Sequence, residues 1–349
     1  MADARGRSVN AELLDRAIAH AIYFQRLKTS LVREIVALLN DEVLASIEAE
    51  ILAEVLAAAG GESSLQFVRL IQIQSNIRSI AFSGFNIVRE RLVTALEHVA
   101  TYEAEWAVAA VRRALPPINV SFDAPSAATL RALVETSPFE GRVLNQWWTG
   151  IAADTQARIS ETVRTGIVEG RTTPEIVARL RDDTFPTTRR NADAVVRTAS
   201  QEVATAARMQ TYRENTDLVK GWKFVATLDA RTTLICASED GKVYALGEGR
   251  PPPLHFGCRS TTTPVLKSFA ELGLPFKALP PGARSSLDGA VPASTTYDQW
   301  LRRQSHAVQD EALGTERASL FRAGKHIAEF VDDRGKTLTL AELRALDHN

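Results

Sequence analysis

Apolar residues recur at helical spacing over most of the chain. This spacing is typical of amphipathic helices, in which one face is buried and the opposite face is polar. It predicts helices at about 9–59, 64–80, 86–115, 143–169, 188–214, 295–312 and 315–323. The fold class that follows is mainly α, built from long amphipathic helices.

One region alternates instead of following the helical period. Apolar and more polar side chains alternate over 222–228, which is typical of a strand. Asp240-Gly241 is a common hairpin signal, and a second apolar run, 242–246, follows it. The pattern therefore predicts a small, loop-rich α+β module near 221–264, built on a two-stranded hairpin.

Breaks in these patterns divide the chain into four consecutive segments. Prolines, serines and threonines are frequent between 118 and 142, so we predict a connector there. The predicted segments are an N-terminal helical region at 1–117, the connector at 118–142, a domain at 143–266 and a loop-rich and helical tail at 267–349.

The overall composition is that of a globular protein rather than a disordered one. Hydrophobic residues make up 45% of the 349 positions and charged residues 24%. A formal net charge of -1 provides no global attraction to nucleic acid or to an anionic membrane. No apolar run approaches the roughly 20 residues that a membrane helix needs. The two cysteines fit a reducing cytoplasm, and we expect no membrane partner.

Both cysteines lie in the predicted module, and His255 precedes Cys258 by three residues. Two thiols and an imidazole are ligand types that zinc prefers, and Cys236 would complete the set of three. The fourth ligand would then be Asp229, Asp240 or water. Three interpretations are open, namely a zinc site, a small core in which the cysteines act as apolar packing residues, and a disulfide.

The sequence favours a non-enzymatic protein. Common hydrolase and phosphate-binding motifs do not occur in it. The zinc-deaminase pattern is absent because Phe256 and Gly257 follow His255, where that pattern needs a glutamate. The alternative is a metal-dependent hydrolase that acts on nucleic acid or peptide through the Cys/His cluster.

The order of residues in the module supports a more specific hypothesis. The positions concerned are Trp222, Asp229-Ala230-Arg231-Thr232, Cys236, Asp240-Gly241-Lys242-Val243 and His255-Phe256-Gly257-Cys258-Arg259. This order resembles the head-morphogenesis domain of tailed-phage minor head proteins, the phage Mu F-like family. The similarity runs from about Val143 to about Leu266. Within it we interpret Trp222, Arg231, Asp240, Gly241 and Arg259 as the structural motif.

The resemblance implies a minor head (capsid) protein that docks at the portal and is needed for head assembly, with DNA packaging or ejection as an additional role. The implied partners are the portal protein, the major capsid or scaffold protein and packaged DNA. The implied location is the capsid interior or the portal vertex of the virion, after assembly in the host cytoplasm. Because amphipathic helices leave apolar stripes to be covered, we expect 9–115 to supply the docking surface. We also expect it to be separable from 143–266.

Arginines near the Cys/His cluster have two possible uses. Arg231 and Arg259 can form ion pairs with nearby aspartates that fix the loops, because the planar guanidinium bonds two acceptors at once. The alternative is contact with DNA phosphates.

A separate tryptophan, Trp147, cannot share a core face with its neighbour Trp148 on one helix. It is either covered by another segment or exposed as a partner anchor.

Three further arginines are candidates for contact with DNA. Arg190, Arg197 and Arg208 are separated by 7 and 11 residues, so they fall on one stripe of the predicted helix 188–214. Such a stripe can follow a phosphate backbone or be an ordinary solvated helix face.

Overall fold

Helices dominate the computed structural model, which describes residues 8–58, 66–115, 121–272 and 283–346. This confirms the mainly α prediction. The helices are α1 (Val9–Leu39), α2 (Ser46–Ala58), α3 (Gln66–Ala114), α4 (Ala127–Thr136), α5 (Leu144–Val168), α6 (Thr173–Arg179), α7 (Phe185–Glu214), α8 (Leu234–Glu239), α9 (Tyr297–Leu301), α10 (His306–Leu313), α11 (Thr315–Arg322) and α12 (Leu340–Leu346). Within these described ranges, no helix is both long and apolar enough to cross a membrane.

Short π-helical stretches join two pairs of helices, and the first of them lies inside the single helix predicted at 9–59. Asn40–Ala45 joins α1 to α2, and Leu180–Thr184 joins α6 to α7. The predicted start signal before α6 is confirmed, because the Thr172 backbone N–H donates to the Glu175 carboxylate at 2.7 Å.

The predicted helix break between 80 and 86 is wrong, because α3 runs through it without interruption. Gly84 has a different role there. A Cβ at this position would lie 2.5 Å from the backbone oxygen of Glu42. The glycine therefore permits a close approach of two backbones rather than ending a helix.

Short strands form two antiparallel sheets in the described part of the chain. In the first, β1 (Val219–Val225) lies between β2 (Val243–Ala245) and β3 (Thr261–Leu266). In the second, β4 (Ala283–Ser286) pairs with β5 (Gly289–Pro292). The predicted mainly α fold with a small β module is confirmed, although the module is larger than expected.

The predicted two-stranded hairpin is wrong in its details. The helix α8 separates β1 from β2, and β3 adds a third strand, with Trp222 opposite both Tyr244 and Pro264. The sequence pattern missed β3 because its first residues, Thr261 to Thr263, are polar in type yet buried. A β-branched threonine suits a strand, but it gives no apolar alternation.

The chain divides into two compact units that do not follow the predicted segments. Unit 1 comprises 1–25, 101–129 and 204–349, and unit 2 comprises 26–100 and 130–203. Both units draw on the predicted N-terminal region. The predicted connector also differs from expectation, because it contains the helix α4.

The expectation that the N-terminal region is separable from 143–266 is wrong for unit 1. Leu13 and Val111 belong to the same buried cluster as Trp222 and Cys258. Deleting 1–115 would therefore remove part of the core of the β module.

Tryptophans 147 and 148, both in unit 2, have different surroundings. Trp148 is buried, and its indole N–H donates to the backbone oxygen of Phe85 at 2.9 Å. The indole N–H of Trp147 donates to the backbone oxygen of Phe139 at 3.0 Å, and the Arg142 guanidinium lies 4.8 Å above its ring. Trp147 is thus covered by the turn at 139–142, which is the first of its two predicted alternatives.

Candidate functional site

The three predicted metal ligands converge in unit 1. The sulfurs of Cys236 and Cys258 are 3.6 Å apart, and His255 Nε2 lies 3.3 Å from the Cys236 sulfur. All three ligand atoms lie within 4.8 Å of one another. Both cysteines are buried, while His255 is half-buried. The cluster therefore has a buried sulfur side and a more open imidazole side.

Local structure explains how the cluster is assembled. Cys236 lies on the buried face of α8, which starts after Thr233. His255 and Cys258 lie in one tight turn, closed by a hydrogen bond from the Cys258 N–H to the His255 backbone oxygen at 3.2 Å. Gly257 has a φ of 71° in this turn, a conformation that glycine adopts without strain. Pairing of β3 with β1 then brings the turn against α8.

Hydrogen bonds define the state of the His255 ring. Its Nδ1 is 2.9 Å from the backbone oxygen of Phe256. Because a carbonyl oxygen only accepts, Nδ1 carries the proton and Nε2 presents its lone pair. That lone pair faces the sulfur side and is also 3.0 Å from the Thr233 hydroxyl.

The pKa values of the two thiols move in opposite directions. The hydrogen bond to Cys236 lowers the pKa of Cys258 well below its usual range, against the effect of burial. The same hydrogen bond, together with burial, raises the pKa of the Cys236 thiol. The contact between the sulfurs therefore favours one thiol and one thiolate in the pair.

Asp229 is held by Arg259 rather than by the cluster. The guanidinium of Arg259 donates to the two carboxylate oxygens at 2.6 and 2.8 Å. Burial raises the pKa of Asp229, but these bonds outweigh it and the net shift is downward. Arg231 is exposed, and its backbone N–H donates to Asp229 at 3.1 Å. The fourth-ligand prediction for Asp229 is therefore wrong in this conformation, because its oxygens are already engaged.

Asp240 is fully occupied as well, and its main partner was not predicted. Its oxygens accept from the guanidinium of Arg284 at 3.0 and 3.2 Å and from the N–H groups of Ala226 and Tyr297 at 2.8 and 2.7 Å. Both side chains of the ion pair are buried. Arg284 lies in a stretch that we expected to be loop. Its sequence context carries no signal of burial, since a single arginine in a short strand normally marks a surface.

The remaining motif residues stabilise the sheet. Trp222 is buried, stacks on Tyr244 with a centroid distance of 4.8 Å, and donates to the backbone oxygen of Glu248 at 3.1 Å. Gly241 has a φ of 84°, and its N–H donates to the Phe224 backbone oxygen at 2.9 Å. These contacts fix the turn between α8 and β2.

The part of the chain that contains the Cys/His cluster matches a known protein family. Residues 157–263 match the family model described as phage Mu protein F like protein. This segment is similar to phage Mu F-like proteins, and we call it the phage Mu F-like domain. The match includes all three residues of the Cys/His cluster, and it supports a phage head-morphogenesis protein that becomes part of the virion. No curated protein and no solved structure matches the chain significantly.

Several structural partners of the phage Mu F-like domain lie outside the matched residues. Arg284 and Tyr297, which hold Asp240, follow the end of the match at 263. The folded module therefore extends beyond the family match.

The predicted basic stripe is wrong at one of its three positions. Arg208 is buried and lies 3.3 Å from the carboxylate of Glu103, which His20 also contacts at 2.8 Å. An arginine held in this way cannot reach a phosphate. Arg190 is exposed, and Arg197 is half-buried and pairs with Asp193 at 2.5 Å. DNA contact by these two remains a prediction.

Proposed function

We propose that the protein is a non-enzymatic minor head protein of a tailed phage, which docks at the portal and is needed to assemble the head. The match of 157–263 to the phage Mu protein F like family is the observation that carries this proposal. A contribution to DNA packaging or ejection, and contacts with the major capsid or scaffold protein, belong to the same proposal.

The state of the polar groups supports a non-enzymatic role. Asp229 and Asp240 are each bound by an arginine through two oxygens, so neither can act as a general base beside His255. Cys258 is completely buried, so a substrate cannot reach its sulfur. These features argue against a hydrolase that uses Asp229, Asp240 or a Cys258 nucleophile, and they favour side chains that maintain the fold.

Large exposed apolar side chains support a docking surface in the N-terminal region. In unit 1, the exposed fractions of Ile22 and Tyr23 on α1 are 54% and 49%. In unit 2, those of Phe82 and Ile87 on α3 are 74% and 43%. Exposed apolar and aromatic side chains of this size are typical of surfaces that a partner covers.

Point substitutions test this surface better than a deletion, because deletion would damage the core of unit 1. We expect Phe82→Glu and Ile22→Glu each to reduce incorporation into heads that are assembled with the portal protein, while thermal stability stays unchanged. Val168→Glu is the matched control, since Val168 is 81% exposed but lies outside the N-terminal region. This control should be incorporated normally. Copy number per purified head is the measurement.

Two outcomes would contradict the proposal in different ways. Normal incorporation of both variants would show that the docking surface lies elsewhere, for example in the phage Mu F-like domain. Hydrolysis of DNA or peptide by the purified protein, abolished by His255→Gln, would replace the non-enzymatic role with the hydrolase alternative.

A further inference from the structure

We propose that Cys236, His255 and Cys258 bind one zinc ion, with a water molecule as the fourth ligand. The inference rests on the geometry of the cluster alone and is independent of docking to the portal.

The ligand spacing agrees with a tetrahedral zinc site. With Zn–S bonds of about 2.3 Å and a Zn–N bond of about 2.0–2.1 Å, a tetrahedron separates two sulfurs by about 3.8 Å and sulfur from nitrogen by about 3.6 Å. The corresponding distances from Cys236 are 3.6 Å to the Cys258 sulfur and 3.3 Å to His255 Nε2. The third pair, Cys258 and His255, lies within 4.8 Å, so an adjustment of at most about 1 Å would bring all three atoms within reach of one ion.

The orientation of His255 is the one that metal-bound histidines have. A ligating histidine typically donates its other ring N–H to a carbonyl or carboxylate, which fixes the ring and directs the lone pair at the metal. Here Nδ1 donates to the Phe256 backbone oxygen at 2.9 Å, and Nε2 faces the sulfurs.

The chemistry of the three ligands selects the ion. Thiolate and imidazole favour zinc, whereas magnesium and calcium require oxygen ligands. Two thiolates also neutralise the two positive charges of zinc, so the buried site would carry no net charge. Arg259 adds a nearby positive charge, but its guanidinium is already paired with Asp229.

The fourth position faces the imidazole side of the cluster. Asp229 and Asp240 are occupied by arginines, so neither carboxylate completes the tetrahedron. Thr233 is exposed and His255 is half-buried, so water reaches this side. The bound ion would connect α8 to the turn that precedes β3, through two cysteines that are 22 positions apart in the sequence.

Metal analysis and cobalt substitution test the site on the full chain. We expect about one zinc per chain, the value for a single site, after purification without chelators. The Co²⁺ form of the unmodified protein should show the intense visible bands of tetrahedral thiolate coordination. Absence of both signals would overturn the proposal without relying on any variant. Free thiols in that protein would then identify a packed core, and loss of free thiols would identify a disulfide.

Substitutions assign the ligands. Cys258→Ser and His255→Gln should each lower zinc content at least tenfold at limiting zinc, because even the loss of a residue that only supports a ligand typically costs roughly 10–100-fold in metal affinity. His306→Gln, which changes an exposed histidine of α10, is the matched control and should keep full zinc content. Asp229→Asn should also keep it. Zinc retained by Cys258→Ser would refute the site, and zinc lost by Asp229→Asn would refute water as the fourth ligand.

Discussion

The β module of unit 1 and the helices of unit 2 are stabilised by different kinds of contact. In unit 2, buried apolar side chains such as Ile77 and Ile159 are distributed along the helices. Each of them therefore contributes a modest part of the unit's stability. In the β module, one buried carboxylate, Asp240, joins β4, α9 and the end of β1 through four hydrogen bonds. Sensitivity to mutation therefore depends on how contacts are distributed, and not only on how much surface is buried.

The largest effect should come from Asp240→Ala. This substitution leaves the guanidinium of Arg284 buried without its charge partner and two backbone N–H groups without acceptors. Removing one partner of a buried pair typically costs about 3–5 kcal/mol. We expect a loss of that size in the free energy of unfolding, measured by urea denaturation at neutral pH.

A matched control for this prediction is Asp154→Ala in unit 2. Asp154 pairs with Arg158 at 2.8 Å, but both side chains are about half exposed. Exposed pairs contribute about 0–1 kcal/mol, so the control should change stability little. Equal losses in the free energy of unfolding from the two substitutions would show that the contacts of Asp240 stabilise the fold no more than an exposed ion pair does.

Unit 2 contains a carboxyl group whose removal should stabilise the protein. Burial raises the pKa of Glu202 to about 7. Below the unfolded-state pKa, such a carboxyl is protonated in both states and does not change the free energy of unfolding. As pH rises towards 7, the unfolded state loses its proton first, so the folded state is progressively destabilised. Glu202→Gln should therefore leave stability unchanged at about pH 4 and increase it at about pH 8, by on the order of 2 kcal/mol. Urea denaturation at both pH values measures this difference. An equal effect at both would contradict it.

The smallest effects should come from trimming single methyl groups in unit 2. Ile159→Val removes one buried methylene and should cost about 1 kcal/mol. Ile47→Val and Ile77→Val, which are equally buried, should give similar losses. Thermal unfolding of the three variants provides the measurement. One loss several times larger than the others would show that the stability of unit 2 depends on a few side chains rather than on many similar contacts.

Local patterns predicted the helices well because the relevant information is local. Amphipathic spacing and the signal at Thr172 and Glu175 were enough for α5 and α6. The same reasoning failed at Gly84, where the reason for the glycine lies in a contact with Glu42, far away in the sequence. It failed again at β3, whose buried threonines are polar by type.

The candidate site shows the same limit. The three-residue spacing of His255 and Cys258 predicted their proximity, because a tight turn brings such positions together. Their approach to Cys236 depends on the pairing of β3 with β1, which the sequence pattern missed. Arg284 could not be predicted at all, since burial of a charged side chain depends on a partner 44 residues away.

The division of unit 1 along the chain imposes an order on folding during synthesis. The last residue of unit 2 is 203, so all of that unit has been synthesised before β1 leaves the ribosome. Leu13, in contrast, packs in a cluster whose other members include Trp222 and Leu266. We therefore expect the first turns of α1 to keep their apolar face uncovered until most of the chain has emerged. During that interval the nascent protein is most exposed to aggregation and to chaperones.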